Sequence, residues 1–212
     1  MKESGQANTT TIVDRTANPA PIALMGFGMT TILLSTVNAG LLPLGAAVLA
    51  MGIFFGGLAQ VIVGFLEWKK GNTFGATTFV SFGFFWIVLV AMMILPKLGL
   101  AAADTGEGKG LFLGLWGFFT LYMTIGTINT NRALQFTFAS LAVTFFLLAI
   151  GDAFAIADVV KLGGFIGLLP GAAAIYMAMG QVLNEALGRT VVPMFPCNGK
   201  NVKASGKESS AH

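Results

Sequence analysis

Six stretches of about twenty mostly apolar residues alternate with short polar connections along the chain. They cover 21–38, 47–66, 74–95, 111–129, 134–150 and 164–183. At 1.5 Å of rise per residue, helices of this length match the hydrocarbon thickness of a bilayer. The charges partition cleanly: every Asp, Glu, Lys and Arg falls outside the six cores. A helix on the surface of a soluble protein would show a polar face at a period of 3.6 residues, and these stretches do not. The pattern predicts an all-α membrane protein of six transmembrane helices. The chain then divides into a tail over 1–18, a six-helix domain over 19–190 and a polar tail over 191–212, which is expected to be disordered.

The connections set the orientation. One side collects Lys2, Arg15, Lys69, Lys70, Arg132, Arg189, Lys200, Lys203 and Lys207, and the other only Lys97, Lys109 and Lys161. Basic residues accumulate on the cytoplasmic side of a membrane protein, so both termini are expected in the cytoplasm. The nine acidic residues split five to four and decide nothing.

Composition narrows the class further. Charged residues make up 10% of the chain, against about 25% in soluble domains. The net charge of +3 comes from loops and tails, so it reports topology and not a nucleic-acid surface. Residues 1–18 lack the apolar core of a signal peptide, so the first span is expected to be retained. A single cysteine, Cys197, and a single histidine, His212, leave no internal disulfide and no His/Cys metal site. No cofactor is expected. The chain has 28 glycines. Gly52/Gly56, Gly110/Gly114 and Gly163/Gly167/Gly171 form small-residue pairs that suit close helix packing. Pro170 should kink the last helix. Trp68, Trp116 and Tyr122 are candidate interface anchors, although Trp116 and Tyr122 could equally face inward.

The inventory argues against an enzyme. No His, Lys or Arg is embedded to activate a nucleophile, and no carboxylate sits mid-span for proton pumping. Glu67 and Glu185 lie at cytoplasmic helix ends and are expected to be solvated. What the spans do carry is neutral and polar: Thr30, Thr31, Ser35, Asn38, Gln60, Thr77, Thr78, Ser81, Thr120, Thr124, Thr127, Gln135, Thr137, Ser140, Thr144, Tyr176 and Gln181. Each alone is read most simply as a helix-to-helix or own-backbone hydrogen bond. Together they could line a pore. Asn18-Pro19-Ala20-Pro21 reads as a helix start, whose positive dipole end can attract a carboxylate. A bare carboxylate in hydrocarbon costs on the order of 20 kcal/mol. Neutral donors lower that cost without holding the ion as a fixed Lys or Arg would. This fits a weakly binding carboxylate pathway and a neutral-solute channel equally well.

The segment Asn18-Pro19-Ala20-Pro21-Ile22-Ala23-Leu24 resembles the NPAPLGL signature of the acetate uptake transporter family. Collinear matches follow at 56–60, 67–75, 113–117 and 174–180, so the resemblance runs from Asn18 to about Pro193. It implies passage of acetate, with succinate as a second substrate, by an anion channel or a proton-coupled symporter. It also implies a homo-hexamer with one pore per protomer in a bacterial or archaeal plasma membrane. An aromatic–aromatic–leucine constriction would fall at Phe27, Phe82 and Leu141. Phe82 stands where the family commonly has Tyr, and Ile22 and Ala23 stand where the signature has Leu and Gly. Without the Tyr hydroxyl the neck should be drier. The resemblance puts Asn18, Pro19, Pro21, Thr30, Gln60 and Ala174 on the substrate path, with Gln60 flanking the neck and Ala174 bearing on substrate size. Two rivals remain: a urea or short-amide channel, and a non-conducting scaffold or sensor.

Overall fold

The structure is a computed structural model and describes residues 16–197. Lys2, Arg15, Lys200, Lys203, Lys207 and His212 lie outside the described residues. Six long helices run up and down: α1 (Ala20–Asn38), α2 (Ala46–Lys69), α3 (Thr73–Ile94), α4 (Gly106–Gly126), α5 (Arg132–Ala153) and α6 (Ala157–Ala186). No strand occurs among the described residues. The six apolar stretches correspond one to one with these helices.

Local chemistry sets the ends. Asn72, Thr105 and Asn131 cap α3, α4 and α5 by accepting from the backbone N–H of Gly75, Gly108 and Leu134 at 3.0, 3.0 and 2.8 Å. Gly71, at φ +72°, turns the chain in the left-handed conformation just past α2, where any other residue would be strained. Five of the six helices are apolar enough to span on composition alone. The exception is α4, diluted by its glycines and by Glu107 and Lys109.

Several helices are longer than their apolar cores. α4 begins at Gly106 and α6 reaches Ala186, so Glu107, Lys109, Asp152, Asp158, Lys161 and Glu185 sit in helical end turns and not in loops. α6 continues through Pro170.

The small residues do the packing. A Cβ on Gly28 would lie 2.7 Å from the carbonyl oxygen of Gly171, so α1 and α6 touch backbone to backbone. Without a hydrophobic drive between helices in lipid, such close approach supplies the contact energy. The buried core holds seven aromatic side chains: Phe27, Phe79, Phe82, Phe85, Trp86, Phe138 and Phe145. The periphery exposes Phe54, Phe65, Phe84, Leu111, Phe118 and Ile125, the apolar surface a bilayer covers. Trp68 is exposed near the end of α2, as an interface anchor is, whereas Trp116 turns inward against Phe82 and Phe85.

Two expectations need correction. Glu67 is not solvated: it is only 4% exposed, and its carboxylate accepts from the Asn72 amide at 2.6 Å. Nor is the chain loose from residue 191. Asn184 clasps it, accepting from Val191 and Val192 N–H and donating to Val192 O. Tyr176 O–H donates to Pro193 O, Arg132 N–H to Phe195 O and Cys197 N–H to Thr130 O. Residues 191–197 form a strap across the ends of α5 and α6, held by these half-buried and exposed polar groups.

Candidate transport path

Three helices, α1, α3 and α5, begin at the end of the bundle where α6 finishes. Between them lies an inner cavity of about 160 Å³, bordered by Ala20, Gln60, Asn72, Thr78, Asn131, Thr137 and Gln181 and floored by Phe27, Phe82, Phe138 and Leu141. The excess of basic residues assigns this end to the cytoplasm. The positive ends of three helix dipoles therefore converge on one cavity. At the opposite end a second cavity of about 60 Å³ is bordered by Thr31, Ser35, Asn38, Trp86, Lys109, Thr144 and Asp152, with Phe27, Phe85, Leu141 and Phe145 at its base. A water molecule needs roughly 10–15 Å³ of such space, so each cavity admits a small solute.

Phe27 and Leu141 border both cavities. They form the partition between them and are 7% and 5% exposed. Phe82 borders the inner cavity and lies against Phe27 with ring centroids 5.7 Å apart. It is also ringed by Trp116, Phe119, Phe138 and Phe145, with centroids 5.4 to 6.4 Å away. These aromatic pairs lock the Phe82 ring in place. The residues separating the two cavities are apolar.

Gln60 reaches the inner cavity through a defect in α2. Residues Phe54–Ala59 form a π-helical segment, whose wider turn re-aims the side chains that follow it. Gln60 is 1% exposed and donates from Nε2 to Gly56 O at 2.5 Å, so its oxygen is left to accept.

The other path candidates divide. Asn18 borders neither cavity. It accepts from Ala20 N–H at 3.1 Å and donates to Gln181, which does border the inner one. Thr30 is fully buried against Gly56 and donates to Met51 O at 3.5 Å. It belongs to the α1–α2 contact and lines neither cavity. Ala174 is fully buried in the core and borders neither. Pro19 is buried at the start of α1, and Pro21 faces an open apolar groove with Phe55 and Leu183. Thr120, Thr124 and Thr127 bond their own helix carbonyls and line neither cavity. Sequence reasoning missed Asn72 and Asn131, which are at once helix caps and cavity walls. Asn before an apolar run is the signal that would have found them.

Two cavities meeting at an apolar partition inside a single six-span bundle define a membrane-transport protein. Residues 3–198 match the GPR1/FUN34/yaaH family, and the chain belongs to that family. It is 57% identical over 178 residues to the succinate-acetate/proton symporter SatP of Escherichia coli K12, covering 84% of this chain and 95% of that one. It is 35% identical over 199 residues to acetate permease A of Emericella nidulans, covering 85% of this chain and 67% of that one. A solved structure of the bacterial acetate channel SatP superposes with a TM-score of 0.84 at 57% identity, covering 85% of this chain and 99% of that one.

Proposed function

We propose that this protein carries acetate, and succinate as a second substrate, across the plasma membrane of a bacterium or archaeon, each protomer of a homo-hexamer holding its own path. The observation that carries the reading is that Phe27 and Leu141 border both cavities. A solute leaving one cavity reaches the other by passing a single apolar layer.

Phe27, Phe82 and Leu141 act as a narrow waist that strips water from the solute and excludes large or strongly hydrated ions. The hydrophobic layer is thin, so the desolvation penalty is met only briefly. Neutral amides and hydroxyls of Gln60, Asn72, Thr78, Asn131 and Gln181 hold the carboxylate on the inner side, aided by the helix dipoles. None of these groups is charged, so release is fast. The partners are acetate, succinate, protons and the lipid bilayer. The likeness to an acetate channel and to a succinate-acetate/proton symporter supports this substrate class.

Purified protein in a planar bilayer under an acetate gradient tests the reading. Current reversing at the acetate equilibrium potential identifies a channel. Electrically silent uptake tied to protons identifies a symporter. Absence of both, with urea uptake instead, would establish the short-amide channel in its place. No flux of any of the three solutes would point to a scaffold.

A further inference from the structure

We propose that the strap over residues 191–197 is a latch on the inner mouth of the path. Docked, it holds the start of α5 against the end of α6. Released, it lets these two walls of the inner cavity separate, and transport quickens. The latch rests on the passage proposed above and adds a control on its rate.

The strap grips both helices. Tyr176, Gly180 and Asn184 recur every fourth residue and so share one face of α6. Tyr176 O–H donates to Pro193 O, and Asn184 holds Val191 and Val192. Between these two anchors, a Cβ on Gly180 would lie 2.7 Å from Met194 Sδ and 3.2 Å from Val192 Cγ1, so the strap sits directly on the helix backbone. At α5, Pro196 pairs with Asn131 in an antiparallel bridge. Flanking hydrogen bonds run from Arg132 N–H to Phe195 O at 2.9 Å and from Cys197 N–H to Thr130 O at 3.1 Å. Arg132 opens α5, so its N–H has no partner within its own helix, and the strap supplies one.

The grip falls on the rim of the cavity. Asn131, the residue bridged to Pro196, borders the inner cavity, and so does Gln181, which follows Gly180. No strap residue borders the inner or the outer cavity. The strap therefore acts on the path by placing these two walls and not by touching a solute.

The hold is light. Val191, Pro193, Phe195 and Pro196 are exposed, and none of the seven residues is fully buried. A segment kept by exposed hydrogen bonds with little apolar burial opens at low cost. Phe195 also stands at φ +50°, in the left-handed region that a residue with a side chain occupies under strain. Strain opposes docking while the hydrogen bonds favour it. The docked and free arrangements are thereby brought close in free energy, which is what a switchable element needs.

Cys197 reports the strap directly. It is the single cysteine of the chain, it is half-buried, and its Sγ accepts from Gln135 Nε2 at 3.1 Å. In the full chain in liposomes, its rate of reaction with a membrane-permeant maleimide measures how often the strap is free. Tyr176→Phe loses one hydrogen bond and should raise that rate about fivefold. Asn184→Ala loses three and should raise it further. Phe195→Gly suits the left-handed backbone and should slow it. Initial acetate uptake should follow the same order across the three variants. Spin labels at Phe136→Cys and Glu185→Cys, both exposed, on a Cys197→Ser background should move apart when Asn184→Ala is added. If Asn184→Ala does not fold, Tyr176→Phe carries both measurements. Labelling that changes while the interspin distance or the uptake stays fixed makes the strap a structural tie and overturns the latch. A parent labelling rate equal to that of glutathione overturns it too. A parent protein that takes up no acetate sinks the passage reading, and the interspin distance then decides the latch by itself.

Discussion

The carboxylate of Glu67 accepts from Asn72 Nδ2 at 2.6 Å while Asn72 Oδ1 accepts from Gly75 N–H at 3.0 Å. One amide thereby ties the end of α2 to the start of α3 and borders the inner cavity as it does so. Asn72→Ala removes the cap and leaves a buried carboxylate without that donor. The expected loss is about 1–3 kcal/mol, read as a lower unfolding temperature in detergent. An unchanged transition would show that the latch carries no stability.

Leu141 and Phe27 share the partition between the two cavities. Leu141→Ala should widen the waist and raise lactate flux relative to acetate in liposomes. A lactate-to-acetate ratio equal to that of the parent protein would remove Leu141 from the path.

Phe82 is surrounded by five aromatic rings. Phe82→Tyr adds a hydroxyl where water is otherwise excluded, so acetate flux should rise and the barrier should soften. Phe82→Ala should cost about 3–5 kcal/mol through the cavity it leaves. Stopped-flow uptake on the first variant and thermal unfolding on the second separate the two effects.

The Gly110/Gly114 pair is not symmetric. A Cβ at Gly110 would meet Ala153 Cβ at 2.6 Å and Ala149 O at 2.8 Å, whereas at Gly114 the nearest atom is 4.0 Å away. Gly110→Ala should therefore destabilise by about 1–3 kcal/mol. Gly114→Ala should stabilise by up to about 1 kcal/mol through helix propensity. Thermal unfolding of both variants in parallel checks the sign of each.

Asn184 makes three hydrogen bonds to the strap. Asn184→Ala should release residues 191–197, which limited proteolysis would detect as faster cleavage near Val191. Protection equal to that of the parent would show that Tyr176 and Arg132 suffice to hold it.

The spans and their number were legible in the chain, because lipid forces charges out of any buried core and that demand acts locally on each segment. The family resemblance named Phe27, Phe82, Leu141 and Gln60, which border the cavities, and also Asn18, Thr30 and Ala174, which border neither. Which polar residues face a cavity was not legible. Thr30 and Thr31 are neighbours on one helix, yet the first packs against Gly56 and the second borders the outer cavity. A strict 3.6 period predicts their angular separation but not what stands opposite each of them. The pairing of Lys109 with Asp152 across α4 and α5 arises between segments distant in sequence, whereas the π-helical segment before Gln60 and the Glu67–Asn72 contact are local features that hydrophobic periodicity does not mark. Helix rotation and neighbour contacts settle such long-range pairings, since a side chain's partners there depend on where other helices lie and not on the residues beside it.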